Sequence, residues 1–181
     1  MLQIQNRGTS PLFKTKVSTE QAAAPVHLAS PEDASSNLAL SLVQAYRETQ
    51  YRVHLKQAGK HVGEDPMVLT VGTPSDQLQA LHSTADVACS AFITACNPWS
   101  RTLSDAQNAQ RMQGLMEVLR ARSLHWYPGV GQHPNNGWPA EPSLLVMGLS
   151  LAAARVLGAS FEQNAFVWAG SDATPQLILL R

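Results

Sequence analysis

The chain has 181 residues, which suits one domain of ordinary size, and 44% of them are hydrophobic, which permits a core without disulfides or bound metal. The formal net charge is zero and only 14% of the residues are charged, so no overall field attracts nucleic acid or an anionic membrane surface. These values argue against a protein that binds its partners through its net charge, and they favour an ordinary globular domain.

The first 32 residues are polar and contain three prolines, and their apolar residues show no sustained period. We predict a flexible N-terminal arm over residues 1–32 and a single domain over residues 33–181. An alternative is that Leu12 and Phe13 dock on the domain or on a neighbouring subunit. Docking on a neighbouring subunit would make the protein an oligomer.

A helix is predicted after Pro31, because apolar residues then recur at helical spacing. Two short strands follow over residues 51–55 and 67–71, and they can pair as a hairpin. Thr73 is a suitable cap for a second short helix over residues 77–85.

The third predicted strand covers residues 87–95 and is buried, since it is almost wholly apolar. A helix capped by Ser104 comes next and is the strongest helical pattern of the chain. Residues 124–127 favour another strand. The many glycines, prolines and asparagines of residues 128–139 predict a turn-rich loop.

The chain ends with a strand at 144–147, a short helix from residue 151 that stops at Gly158, and two strands at 164–168 and 177–180. Hairpins at both ends argue against a purely parallel sheet. We predict an α/β (mixed α+β) fold, in which helices flank a mixed sheet in a two- or three-layer sandwich.

The cysteines Cys89 and Cys96 fall in one predicted strand, too far apart along it for a mutual disulfide. Free thiols in a reducing compartment are the simpler interpretation. No apolar run is long enough to span a bilayer, and the N-terminus lacks the order of a signal peptide. We therefore expect a cytoplasmic protein with no membrane partner and no clear nucleic-acid signal.

Polar residues follow the buried strand directly, in the sequence Thr94-Ala95-Cys96-Asn97-Pro98. Because open α/β sheets bind ligands beyond the carboxyl ends of their strands, we predict that Thr94 and Asn97 bind a ligand. Asn108 lies early in the next helix and can face back to this loop. The alternative is structural: Asn97 then bonds only local backbone groups and fixes the turn.

The stretch Trp138-Pro139-Ala140-Glu141-Pro142-Ser143 holds the candidate catalytic residue. A carboxylate at Glu141 can act as a general acid or base, above all if desolvation raises its pKa. Ser143 is expected to project the same way, and Trp138 can stack on a flat ligand. The alternative is a surface turn in which Glu141 accepts ordinary hydrogen bonds.

Gln163 precedes the apolar strand near residue 165, where it either contacts a ligand amide or is buried and hydrogen-bonded to a neighbouring loop. His125, His133 and Glu141 fit no standard zinc spacing, so no metal ligands are predicted. The chain lacks a phosphate-binding P-loop and a dinucleotide fingerprint, and the cofactor stays unknown.

Several of these residues belong to motifs that occur in a fixed order: Ile93-Thr94-Ala95-Cys96-Asn97-Pro98, Asn108, Trp138-x-x-Glu141-x-Ser143 and Phe161-x-Gln163-Asn164-Ala165. With them, residues 49–181 resemble an uncharacterised bacterial family, the domain of unknown function numbered 3293. The family has no established activity, so the resemblance implies a fold group and no reaction. Its pattern often has an aromatic residue at the position of Cys96, which argues against Cys96 as a family-wide nucleophile.

We expect a domain or enzyme that binds a small polar molecule, a nucleotide-like one being an option. Glu141 would be the acid or base, Asn97 and Gln163 would orient the ligand, and Trp138 would stack on it. The alternative is a non-enzymatic protein-interaction or regulatory module, whose polar motifs only fix loops. Whether the chain is an enzyme stays open on the residues alone.

Overall fold

The structure, a computed structural model, describes residues 37–55, 65–135 and 137–181. The predicted arm at residues 1–32 lies outside this range. The elements in chain order are α1 (Leu40–Glu48), β1 (Gln50–Val53), β2 (Met67–Leu69), α2 (Asp76–Thr84), β3 (Ser90–Ile93), a tight turn (Pro98–Ser100), α3 (Asp105–Ala121), β4 (Trp126–Gln132), β5 (Glu141–Met147), α4 (Leu151–Ser160), β6 (Ala165–Ala169) and β7 (Gln176–Leu179).

Seven strands of the described residues form one sheet in the order β2-β1-β4-β5-β3-β6-β7. The predicted α/β class, a sheet flanked by helices, is confirmed. The sheet differs from the expected mixed one, because every pairing among the described strands is antiparallel. Helix α3 connects β3 to β4, which run parallel but are kept apart by β5. A helix between two strands therefore did not make them parallel neighbours.

The central strand β5 is buried on both faces, because alternate side chains of a strand point in opposite directions. Leu144 and Val146 pack with residues of α3 and α4. Leu145 and Met147 pack with residues of α1 and α2. The sandwich accordingly has three layers, and we call the side that carries α1 and α2 the α1/α2 face. No helix in the described ranges is long and apolar enough to cross a membrane.

Helix boundaries follow local signals at some places and packing at others. Ser104 caps α3 as predicted, through a reciprocal capping box with Gln107. Gly158 was expected to end α4 but lies inside it and is buried. A Cβ at Gly158 would lie 2.8 Å from Leu180 Cδ1. This glycine therefore permits close helix–sheet packing instead of terminating the helix.

The predicted loop at residues 128–139 is wrong in its first part, because β4 continues to Gln132. Close packing explains why residue 129 of this strand is a glycine. Its Cβ would lie 2.6 Å from Phe92 Cε2 and 2.7 Å from the carbonyl oxygen of Arg52. The Phe92 ring thus occupies the space that a side chain would need.

Replacing Gly129 with alanine should lower the free energy of unfolding by about 1–3 kcal/mol, because the added methyl overpacks against Phe92 and the β1 backbone. Gly131→Ala is the matched control, two residues along the same strand. Its methyl meets only Thr49 and Tyr51, at 3.8 and 4.0 Å, and should change stability by less than about 0.5 kcal/mol. Urea unfolding of the two variants checks this, and equal stabilities would contradict it.

Candidate functional site

A pocket of about 350 Å³ opens on the α1/α2 face at one end of the sheet. In an antiparallel sheet this end gathers the last residues of β3 and β4 with the first residues of β1, β5 and β6. The rule of carboxyl strand ends, which belongs to parallel sheets, therefore does not describe it. The sheet contributes Tyr51, Phe92, Thr94, Glu141, Ser143, Val167 and Leu177 to the lining, and α1 contributes Tyr46.

The space beside Glu141 exists because its partner across the sheet has no side chain. Gly131 pairs with Glu141 and Gly129 pairs with Ser143 in the β4–β5 register. Gly131 lines the pocket, and a Cβ there would have only ordinary contacts. Any longer side chain on β4 at this position would extend into the pocket.

Glu141 is the acidic residue of the described lining, and it is partly buried. Asn97 Nδ2 donates a hydrogen bond to Glu141 Oε1 at 2.6 Å. Burial raises the pKa of the Glu141 carboxyl, and the hydrogen bond from Asn97 opposes that shift. The other oxygen, Oε2, accepts no hydrogen bond from a described residue. Glu141 therefore presents an unused acceptor that can also take up a proton.

Asn97 is held by a reciprocal pair of amides. The Asn97 backbone N–H donates to Asn108 Oδ1 at 2.9 Å, and Asn108 Nδ2 donates to Asn97 Oδ1 at 3.0 Å. The same Asn97 oxygen accepts the backbone N–H of Leu103 at 2.9 Å. These bonds leave the Asn97 Nδ2 group for Glu141. Asn97 thus fixes its loop and also reaches the pocket, whereas Asn108 does not line the pocket and positions Asn97.

The loop after β3 is held in a strained conformation. Asn97, Trp99 and Ser100 have φ angles of 46°, 52° and 57°, in the left-handed region that disfavours residues other than glycine. The Trp99 N–H donates to the Glu162 carbonyl at 2.8 Å, and the Arg181 guanidinium lies 4.6 Å from the Trp99 ring centre. Such residues cost about 1–3 kcal/mol each and persist where surrounding contacts hold them. Here the contacts keep Ser100 on the pocket wall.

Two predicted ligand contacts, Thr94 and Ser143, line the pocket but are engaged with backbone. Thr94 Oγ1 donates to the Pro142 carbonyl at 2.7 Å and accepts the Cys96 N–H at 3.0 Å. Ser143 Oγ donates to the carbonyl oxygen of Glu141 at 3.1 Å. These hydroxyls therefore tie the end of β3 to the start of β5.

Gln163 is buried at 6% exposure and also lines the pocket. Its Nε2 donates to the carbonyls of Cys96 and Phe161, at 3.0 and 3.1 Å. This matches the structural alternative for its amide nitrogen. Trp138 stands at the rim and is 48% exposed, so its ring can cover a ligand only at the mouth.

A polar cluster that the sequence patterns do not reveal lies on the same wall and is formed by Tyr46, Ser100 and Asn164. Asn164 Nδ2 donates to Ser100 Oγ at 2.8 Å, and the Tyr46 and Ser100 hydroxyls lie 3.0 Å apart. Asn164 is only 4% exposed, and its Oδ1 has no hydrogen-bond partner among the described residues. Asn164 follows Gln163 in the motif Phe161-x-Gln163-Asn164-Ala165. Tyr46 carries no such signal, since it fits the apolar stripe of a helix.

His133 and the two cysteines are the further candidates for chemistry. His133 lines the pocket, with Nε2 3.1 Å from Glu48 Oε2. Within the described ranges, no three His, Cys, Asp or Glu side chains are placed to hold a metal ion. Cys89 and Cys96 are both free thiols, and burial raises the pKa of Cys96. A raised pKa lowers the thiolate fraction, which is the nucleophilic form.

Residues 93–166 match the model of a family described as "Protein of unknown function (DUF3293)". The resemblance drawn from the motifs is therefore confirmed over this stretch, which covers less than half of the chain. The matched stretch includes Asn97, Asn108, Glu141 and Gln163. No curated protein and no solved structure matches the chain. The family description names no activity, so the chemistry must be inferred from the pocket.

Replacing Asn108 with alanine should lower the free energy of unfolding by about 1–3 kcal/mol, because it leaves the Asn97 N–H without an acceptor and removes one of the two donors to Asn97 Oδ1. Gln113→Ala on the exposed side of the same helix is the control and should change it by less than about 0.5 kcal/mol. Chemical denaturation measures both. An Asn108→Ala variant as stable as the control would show that the reciprocal amides do not hold the loop.

Glu141→Gln should gain stability relative to wild type as the pH rises from the ordinary carboxyl value of 4.5. The raised pKa means that the folded state binds this proton more tightly than the unfolded chain. Wild type therefore loses stability between the ordinary and the raised value, and the variant does not. Unfolding free energies measured across this range give the difference.

Glu48→Gln is the control with the opposite sign. Hydrogen bonds from Gln44 and then His133 lower the pKa of Glu48, so wild type loses that stabilisation as the pH falls below 4.5. The advantage of wild type over this variant should therefore grow with pH. Parallel pH dependences for the two glutamine variants would contradict the assignment of a buried, proton-retaining Glu141.

Proposed function

We propose that this chain, with its DUF3293 stretch, binds a small polar molecule in the pocket at the sheet end. The observation that carries the proposal is Glu141, a partly buried carboxyl that is held by Asn97, has a raised pKa and has one oxygen unused by the described residues. A pocket of about 350 Å³ suits a small ligand or part of a larger one. A perturbed carboxyl inside a well-formed pocket is a general mark of a functional site.

Structural needs alone do not account for this arrangement. Burying a carboxyl raises its pKa because desolvation disfavours the charged form, so the folded state is weakened at neutral pH. The neighbouring loop adds further cost through three residues with positive φ angles. Strain and desolvation that meet at one pocket support a role in binding or catalysis.

The chemistry that the pocket supports is proton transfer or hydrogen bonding at Glu141. A general acid or base must reach the reacting atom at about 2.6–3.2 Å, and Glu141 Oε2 is available for this. Nucleophilic catalysis by Ser143 or Cys96 is disfavoured, since the Ser143 hydroxyl donates to a carbonyl and burial raises the pKa of Cys96. Asn97 would then position the carboxyl, and Trp138 would cover the mouth.

A second candidate function is binding without chemistry, as in a regulatory or protein-interaction module. The observation in its favour is that Gln163 donates its amide hydrogens to backbone carbonyls, as a loop-fixing residue does. Both functions use the same pocket, but only the first includes a chemical conversion of the bound molecule. For either function we propose a reducing compartment such as the cytoplasm, which suits the free thiols Cys89 and Cys96.

A thermal-shift and calorimetry screen should find a compound that stabilises the wild-type chain by mass action. The panel comprises nucleobases, nucleosides, nucleotides, sugar phosphates, amino acids, polyamines and divalent metals. Glu141→Gln should weaken that compound at least about tenfold, because the variant loses the carboxylate acceptor. Glu117→Gln, on the exposed part of α3, is the control and should bind like wild type.

Incubation of the compound with wild type and Glu141→Gln then separates catalysis from binding alone. Turnover by wild type that falls at least about a hundredfold in the variant supports an acid or base role. Binding without turnover supports the regulatory module. A hit that binds Glu141→Gln and wild type equally well would place its site elsewhere and would refute the proposed pocket.

A further inference from the structure

The pocket wall presents two unused hydrogen-bond acceptors. Glu141 Oε2 accepts nothing from a described residue. Asn164 is only 4% exposed, and its Nδ2 donates a hydrogen bond to Ser100. Its Oδ1 is buried and accepts no hydrogen bond from a described residue. A buried carbonyl oxygen without a donor costs about 1–3 kcal/mol. A ligand that brings N–H donors would remove that cost.

Several donors of the lining are already engaged. Asn97 Nδ2 donates to Glu141, Gln163 Nε2 donates to carbonyls, and Thr94 Oγ1 donates to Pro142. Among the described residues that line the pocket, none is lysine or arginine. Phosphate and carboxylate groups are recognised by such cations or by clustered backbone N–H groups. The described lining is therefore better suited to a hydrogen-bond donor than to an anion.

The remaining lining suits a flat apolar ring. Phe92, Val167 and Leu177 are buried on the α1/α2 face and supply an apolar floor. Trp138 supplies an exposed indole at the mouth. Aromatic and apolar walls with a few placed polar groups are typical of sites for planar heterocycles.

We infer that the ligand is a planar nitrogen heterocycle of nucleobase or nucleoside size, without a phosphate, whose N–H groups donate to Glu141 Oε2 and Asn164 Oδ1. This inference rests on the proposed function and narrows it to a substrate class. It also sets aside the phosphorylated form of the nucleotide-like option. Such a ligand satisfies the unpartnered oxygen of Asn164 and places its ring on the apolar floor.

The ligand-side test measures the binding of matched compounds to the wild-type full-length chain by calorimetry. The probes are guanosine, adenosine, cytidine, uridine and their free bases, each beside a ring- or amino-N-methylated counterpart. Each nucleoside is also compared with its 5′-monophosphate. At least one parent should bind. Its methylated counterpart should bind at least tenfold more weakly, because a donor is lost. Its monophosphate should bind no more tightly than the parent.

The protein-side test replaces Asn164 with leucine, which removes the unpartnered oxygen at similar size. This variant should weaken the parent compound at least tenfold. Gln113→Leu, on the exposed side of α3 and outside the pocket lining, is the matched control and should bind within about threefold of wild type. If Asn164→Leu does not fold, the methylated ligands still test the same contact on wild type.

The outcomes separate this inference from the proposed function. Equal binding of parent and methylated compounds, or tighter binding of the monophosphates, would overturn the inference. A screen hit of another class whose binding needs Glu141 would also overturn it and would leave the proposed function standing. If no compound binds in either experiment, both are rejected.

Discussion

The hydrogen bond from Asn97 Nδ2 to Glu141 Oε1 is the interaction on which the site depends. It joins the loop after β3 to the first residue of β5, and it opposes the rise that burial causes in the pKa of the Glu141 carboxyl. Asn97 can make this bond because Asn108 and Leu103 engage the rest of its polar groups. One asparagine thereby sets the course of the loop and the environment of the candidate acid.

The antiparallel sheet supplies the other constraint. Because strand starts and strand ends alternate along its edge, residues distant in the chain meet there on one face. Glycines on β4 make room for Phe92 and for the pocket beside Glu141. The result is a site with an apolar floor and a polar wall, in which Glu141 Oε2 and Asn164 Oδ1 accept no hydrogen bond from a described residue.

Local signals predicted part of this well. Ser104 caps its helix as expected, because a capping box involves only neighbouring residues. The predictions from glycines are wrong. Gly129 and Gly131 favour a turn and Gly158 favours a helix end, yet each lies within a strand or a helix. Tyr46 was missed as a pocket residue. Its spacing only places it on a buried helix face, and what that face meets depends on the chain far away.

The sequence by itself determined the α/β class, the apolar strand at residues 144–147 that forms the inner part of β5, and the polar motifs that contain Asn97, Glu141 and Gln163. These follow from short-range physics: helical and strand periods, caps and turn chemistry. Only the tertiary structure decided that Asn97 and Glu141 bond across 44 residues, and that no described residue donates to Asn164 Oδ1. Desolvation and hydrogen-bond partners come from packing between distant segments, which no local pattern specifies.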